Sequence, residues 1–98
     1  MSVTDGAPDG VEVREMGIRN ANGIHARPAA LFVQLASRYD AEVTVDNEGN
    51  RVSGKSIMGM LTLNASCGTV LKVSAEGPDA SELLDELEQL VESGFETG

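Results

Sequence analysis

Aromatic residues are scarce in this chain, which has no tryptophan, one tyrosine and two phenylalanines. Its core must therefore be aliphatic, drawn from the Val, Leu, Ile, Met and Ala that dominate a hydrophobic share of 41%. With 98 residues, that suffices for one small domain. The single cysteine, Cys67, excludes an intramolecular disulfide and fits a reducing compartment. One cysteine and one histidine, His25, are too few ligands for a structural zinc site. No apolar run approaches the roughly 20 residues that cross a bilayer. Residues 1–10 lack the basic and apolar regions of a signal peptide. These absences predict a cytoplasmic protein with no metal, no cofactor and no membrane insertion.

Positive charge is also scarce. Seven Lys and Arg face sixteen Asp and Glu, for a formal net charge of -9. Nucleic acid, whose phosphates call for basic surface, is excluded as a partner. The imbalance is greatest at the C-terminal end, where no Lys or Arg follows Lys72 but Glu76, Asp79, Glu82, Asp85, Glu86, Glu88, Glu92 and Glu96 do. Such a run reads first as a solvated helix face.

What is present is a sequence of short periodic segments. Residues 1–10 hold Gly, Pro and Asp without periodicity and read as a flexible leader, with a single domain over 11–98. Val11 and Val13 alternate with Glu12 and Arg14, the mark of a half-buried strand. Asn20–Gly23 is a turn signal. A helix is expected from about Ala26 to Ser37, with Pro28 in its first turn, where a missing N–H does no harm. Ala41, Val43 and Val45 alternate in a second strand, and Asn47–Asn50 turns the chain into a short partner over 51–53. A short helix follows over 56–63 with Ser56 as its N-cap. Of Met58 and Met60, one suits the core and the other an adaptable surface. Leu71, Val73 and Ala75 share one face of a fourth strand, which Gly77–Pro78 breaks. The last helix starts at Asp79, with Glu82 in a capping-box relation, carries the stripe Leu83, Leu84, Leu87, Leu90, Val91, and stops near Gly94. The order βαββαβα predicts an α+β fold in which two split βαβ halves form a four-stranded antiparallel sheet with three helices on one face.

Chemistry concentrates in Gly23-Ile24-His25-Ala26-Arg27-Pro28-Ala29. His25 stands where a turn meets a helix. The free N–H groups and the dipole of a helix start favour an anion. Arg27, two residues on, can add a charge-assisted donor. A neutral imidazole has a free lone pair and can act as a nucleophile, so a phosphoryl group on His25 would find donors around it. On residues alone, a histidine at a helix start is more often a cap or a surface residue.

The segment resembles the G-[LIV]-H-A-R-P-A signature of the HPr family, the histidine phosphocarriers of the bacterial phosphoenolpyruvate-dependent sugar phosphotransferase system, at every position. Lys55-Ser56-Ile57-Met58-Gly59 is similar to the family's regulatory serine segment. Ala75-Glu76-Gly77-Pro78-Asp79-Ala80 resembles the run before its last helix. The resemblance covers roughly residues 11–95 and implies the open-faced β-sandwich. It also implies that His25 accepts phosphate from enzyme I at Nδ1 and passes it to an enzyme IIA domain, with Arg27 steadying the phosphoryl group. Ala26, Ile57, Met58 and Leu61 would form an apolar docking patch. Ser56 would be a regulatory site for an HPr kinase/phosphorylase, with a transcriptional regulator as a further partner. A monomer is expected.

The chain departs from many relatives in its wholly acidic last helix, in Gln34 and Arg38 where lysines are common, and in Cys67-Gly68 in place of Lys-Gly. Ser93-Gly94-Phe95-Glu96 resembles a nitrogen-related branch of the family. A regulatory paralogue is therefore the second reading. Outside the family, the acidity and size suit an acyl carrier protein, but the Asp-Ser-Leu attachment tripeptide is missing and the Val43/Val45 and Leu71/Val73 alternations favour strands. A ferredoxin-like binding module without chemistry is the plainest alternative.

Overall fold

The computed structural model describes residues 11–96. The leader assigned to residues 1–10 lies outside them. The elements are β1 (Val11–Gly17), α1 (Ala26–Ala36), β2 (Glu42–Asn47), β3 (Asn50–Ser53), α2 (Ile57–Thr62), β4 (Val70–Glu76) and α3 (Ala80–Glu92). The expected order is met, and element ends differ from expectation by one or two residues. The strands form one antiparallel sheet in the order β1-β4-β2-β3. The chain thus places its last strand in the middle, between its first and second.

Strand alternation divides the sheet into two faces. Val43 and Val45 of β2 and Leu71, Val73 and Ala75 of β4 point inward and are buried. The helices cover that face. α1 contributes Pro28, Ala29, Phe32 and Ala36, and α3 contributes Ala80, Leu83, Leu84, Leu87 and Val91, each at helical spacing. Met60 of α2 and Leu63 just beyond it complete the core, in which Phe32 is the largest fully buried side chain. The acyl-carrier reading is excluded by this sheet.

β1 is a strand, but its valines do not face the core. Met16 and Ile18 are the buried positions, so Glu12 and Arg14 share the inward parity and Val13 is half exposed on the outer face. Burial of Met16 and Ile18 fixes that parity, and an ion pair accommodates the charge it turns inward. Arg14 Nη1 donates to Asp85 Oδ1 at 2.7 Å and to Glu88 Oε1 at 3.0 Å, both on α3. Part of the acidic helix is therefore not a free solvated face; it is pinned to the sheet by a cation from the other end of the chain. The outer face carries a row of alternating charge across the strands. Glu15 stands opposite Lys72, Lys72 opposite Asp46, and Asp46 opposite Arg51. Opposite charges at facing positions support strand register.

Asp79 is the N-cap residue of α3, but it forms no side-chain cap and no capping box with Glu82. Its carboxylate is used elsewhere, accepting the amides of Asp40 at 3.0 Å and Ala41 at 2.9 Å and so tying the α1–β2 turn to the start of α3. At the other end, Gly94 has φ +72°, Phe95 N–H donates to Leu90 O and Gly94 N–H to Val91 O, the paired bonds of a Schellman stop.

Candidate functional site

The segment from Asn20 to His25 leaves β1 and enters α1 under tight constraint. Gly23 N–H donates to Asn20 O at 3.0 Å, and Asn20 Nδ2 donates back to Gly23 O at 2.6 Å. Ile24 N–H donates to Ala65 O at 2.9 Å, which binds the loop to the segment after α2. Gly23 has φ +67°, and a Cβ there would overlap the Ala65 carbonyl. Only glycine meets both conditions without strain.

His25 follows as the N-cap of α1, with φ -122° and ψ -164°, and its side chain makes no capping hydrogen bond. The cap reading of this histidine is thereby removed. Its imidazole is exposed, while its carbonyl accepts the first helical bond, from Ala29 N at 2.9 Å. The amides of Ala26 and Arg27 stand in the first turn, where no intrahelical acceptor exists, and Pro28 brings no N–H to the third position. No acidic residue lies in that turn to compete for an anion. His25 and Arg27 border one shallow cleft of about 160 Å³, together with Asn20, Asn22, Pro28 and Phe95. The arrangement can hold a small tetrahedral anion on a ring nitrogen, between backbone donors and a guanidinium.

The other expected residues are arranged separately. Ser56 caps α2, its Oγ accepting Gly59 N–H at 3.0 Å. Lys55, beside it, donates from Nζ to Tyr39 O at 2.8 Å. Of the two methionines, Met60 is fully buried and Met58 is 72% exposed, so the division of roles follows burial. Ile57 and Leu61 are also exposed, which together with Met58 leaves an apolar surface on α2. Ala26 is exposed at the start of α1, a helix that packs against α2. None of Ser56, Ile57, Met58 or Leu61 lines the histidine cleft. Cys67 is exposed, its Sγ 3.6 Å from Arg19 O. It borders a much larger open concavity of about 850 Å³, which holds neither His25 nor Arg27 and whose rim, including Asn47 and Asn50, is polar. These two asparagines donate to Leu63 O and Thr62 O, serving as caps for the C-terminal end of α2.

Asn20, Asn22 and Phe95 are cleft residues that the sequence does not assign to the site. Asn20 and Asn22 were legible only as turn formers. Phe95, buried and with φ +65°, comes from beyond α3, where nothing in the helix pattern marks it.

An α+β domain that offers an uncapped histidine at a helix start defines a class of small proteins able to carry an anion on imidazole. The comparisons narrow that class. The profile described as "PTS HPr component phosphorylation site" matches residues 13–93. The phosphocarrier protein HPr of Treponema pallidum is 43% identical over 84 residues, covering 86% of this chain and 96% of its own. The crystal structure of HPr-C-His from Thermoanaerobacter tengcongensis superposes with a TM-score of 0.84 at 44% identity, over 89% of this chain and 98% of that one. The HPr-like protein Crh of Bacillus subtilis is 40% identical over 79 residues, or 81% of this chain and 93% of its own. The chain belongs to the HPr family of phosphocarrier proteins.

Proposed function

We propose that this protein carries a phosphoryl group on His25, taking it from phospho-enzyme I and giving it to the histidine of an enzyme IIA domain in the cytoplasm. The observation that carries the reading is the uncapped imidazole at the N-terminus of α1, with Arg27 on the same cleft. In the forward step, the Nδ1 lone pair attacks phosphorus. The bond from phosphorus to enzyme I breaks, and a phosphorus–nitrogen bond to His25 forms. The first-turn amides and Arg27 share the charge of the new dianion. The second transfer is the same step with His25 as leaving group. Such a carrier is a substrate of phosphotransferases and not itself an enzyme.

In this reading Ala26, Ile57, Met58 and Leu61 meet the partners, and the exposed Met58 supplies an apolar contact that adapts to more than one of them. Ser56 is the site of regulatory phosphorylation by an HPr kinase/phosphorylase, with a transcriptional regulator reading the modified form. The protein acts as a monomer. The test is incubation with enzyme I and labelled phosphoenolpyruvate. One acid-labile, base-stable phosphate should appear on the wild type and none on His25→Ala. Label retained by that variant sinks the assignment.

The identity to Crh, whose solution structure names it a catabolite repression HPr, favours a second reading, a regulatory paralogue that does not mainly serve sugar uptake. The intact His25-Ala26-Arg27 counts against the loss of phosphotransfer. Restoration of sugar uptake in an HPr-deficient strain separates the two readings.

A further inference from the structure

We propose that Asn20 is a positioning residue for phosphoryl transfer, holding the Gly23 peptide through its side-chain amide and thereby setting the direction from which His25 faces the cleft. This rests on the phosphocarrier reading of His25. Asn20 stands where the chain has left β1, five residues before the histidine. Its turn is closed twice, by Gly23 N–H to Asn20 O at 3.0 Å and by Asn20 Nδ2 to Gly23 O at 2.6 Å. The next peptide is taken by Ala65 O. The His25 side chain, by contrast, forms no capping bond. The direction in which its Cα–Cβ bond leaves the chain is set by the backbone that leads into it, and among the described residues Asn20 supplies the one side-chain bond to that stretch.

A second observation separates this role from a merely structural one. Asn20 Oδ1 is buried without a hydrogen-bond partner among the described residues. A buried, unsatisfied acceptor weighs against the fold. Turning the amide over would not relieve it, because Oδ1 would then meet the Gly23 carbonyl, acceptor against acceptor. The amide is thus fixed in one orientation, with its oxygen left unpaired. For stability alone, alanine would remove the orphaned oxygen together with the donor. What alanine cannot do is hold the Gly23 carbonyl. Asn20 also borders the cleft, yet its buried oxygen is an acceptor and would not favour a phosphoryl group, so its contribution is to geometry.

Asn20→Ala and Asn20→Asp test this. The first deletes both amide atoms, and the second keeps the shape but presents no donor at neutral pH. Transfer from phospho-enzyme I should fall about ten- to a hundredfold in kcat for both, as small misplacements of a reacting group do. KM for enzyme I should stay at the wild-type value, because the apolar side chains on α2 are untouched. Cooperative melting should persist. In wild-type protein, one Asn20 Nδ2 proton should exchange slowly with solvent by NMR, and the His25 ring resonances should move in both variants. Wild-type kcat in either variant, a loss confined to KM, or a freely exchanging Asn20 amide in the wild type would overturn the assignment. The exchange measurement needs no variant to fold and no enzyme I. A wild-type protein that accepts no label would instead bring down the phosphocarrier reading and the kinetic role with it.

Discussion

Replacing Gly23 by alanine should damage both the fold and the site, and the size of the damage can be worked out from its contacts and separated with two other glycines as controls. Gly23 has φ +67° and a backbone carbonyl where a Cβ would stand. The left-handed conformation costs a non-glycine residue about 1–2 kcal/mol. The Cβ must also push the loop off Ala65, which forfeits the Ile24 N–H bond, worth about 1 kcal/mol. Alanine returns about 0.4–1 kcal/mol by restricting the unfolded chain. The net loss is about 1–2.6 kcal/mol, or roughly 4–21 °C in melting temperature for a domain of this size. Gly49→Ala isolates the conformational part, since Gly49 has φ +91° but open space around it. Gly17→Ala isolates the entropy part, having open space and no left-handed φ, and should melt at or slightly above the wild type. Thermal unfolding followed by circular dichroism at one pH ranks the three. If Gly23→Ala melts no lower than Gly49→Ala, the contact with Ala65 does not constrain the loop and the reasoning fails. Phosphorylation of Gly23→Ala, assayed at a temperature where it is folded, should be slow for the same reason.

Arg27→Ala should transfer phosphate poorly yet melt within about 0.5 kcal/mol of the wild type, as exposed positions do; a normal transfer rate makes Arg27 a plain surface residue. Ser56→Ala should lose about 1 kcal/mol with its cap to Gly59 N–H, read from urea unfolding. Ser56→Asp keeps a capping oxygen and adds a charge that the start of α2 accepts, so it should remain folded but be phosphorylated more slowly by enzyme I; a folded variant that reacts at the wild-type rate leaves Ser56 as a cap only. Tyr39 has its ionisation pushed above the ordinary value, first by loss of water around the phenol and then by the negative charges of Glu86 and Glu82, against an opposing effect of Arg38. The folded state therefore keeps the phenolic proton to higher pH than the unfolded chain. The stability this contributes is intact below about pH 10 and disappears as pH rises through the folded value. Because the chain has one tyrosine and no tryptophan, phenolate absorbance reports this group alone, and a midpoint at or below that of free tyrosine refutes the shift.

Much of this architecture could be read from residue order because its signals are local. The stripes of α1 and α3, the alternations of β2 and β4, and the Gly94 stop each depend on neighbours in sequence. What could not be read depends on distant partners. Val13 looked like a core residue because alternation identifies two faces without saying which is inward; Met16 and Ile18 fill the inward positions, and Arg14 on the same side meets Asp85 and Glu88 across the fold. Asp79 stood where a cap is expected, and two amides of the α1–β2 turn took its carboxylate. The site divides in the same way. His25 and Arg27 were visible in a contiguous motif, and the cleft brings them together. Asn20 lies within the same stretch, but its role needed the side-chain geometry, and Phe95 arrives from the opposite end of the chain.

The position of β4 between β1 and β2 also bears on when the protein becomes competent during its synthesis. β1 leaves the ribosome first, and all of its ladder bonds are to residues 70–76. The loop that carries His25 hangs from β1 and is fastened to Ala65. A nascent chain that has not yet delivered β4 therefore holds the histidine on an unpaired segment, with no scaffold to aim it. Closure of such distant pairings is the slow part of folding in proteins of this kind. If His25 carries phosphate as proposed, its reactivity should consequently arise late, leaving stalled or prematurely ended chains without a competent site.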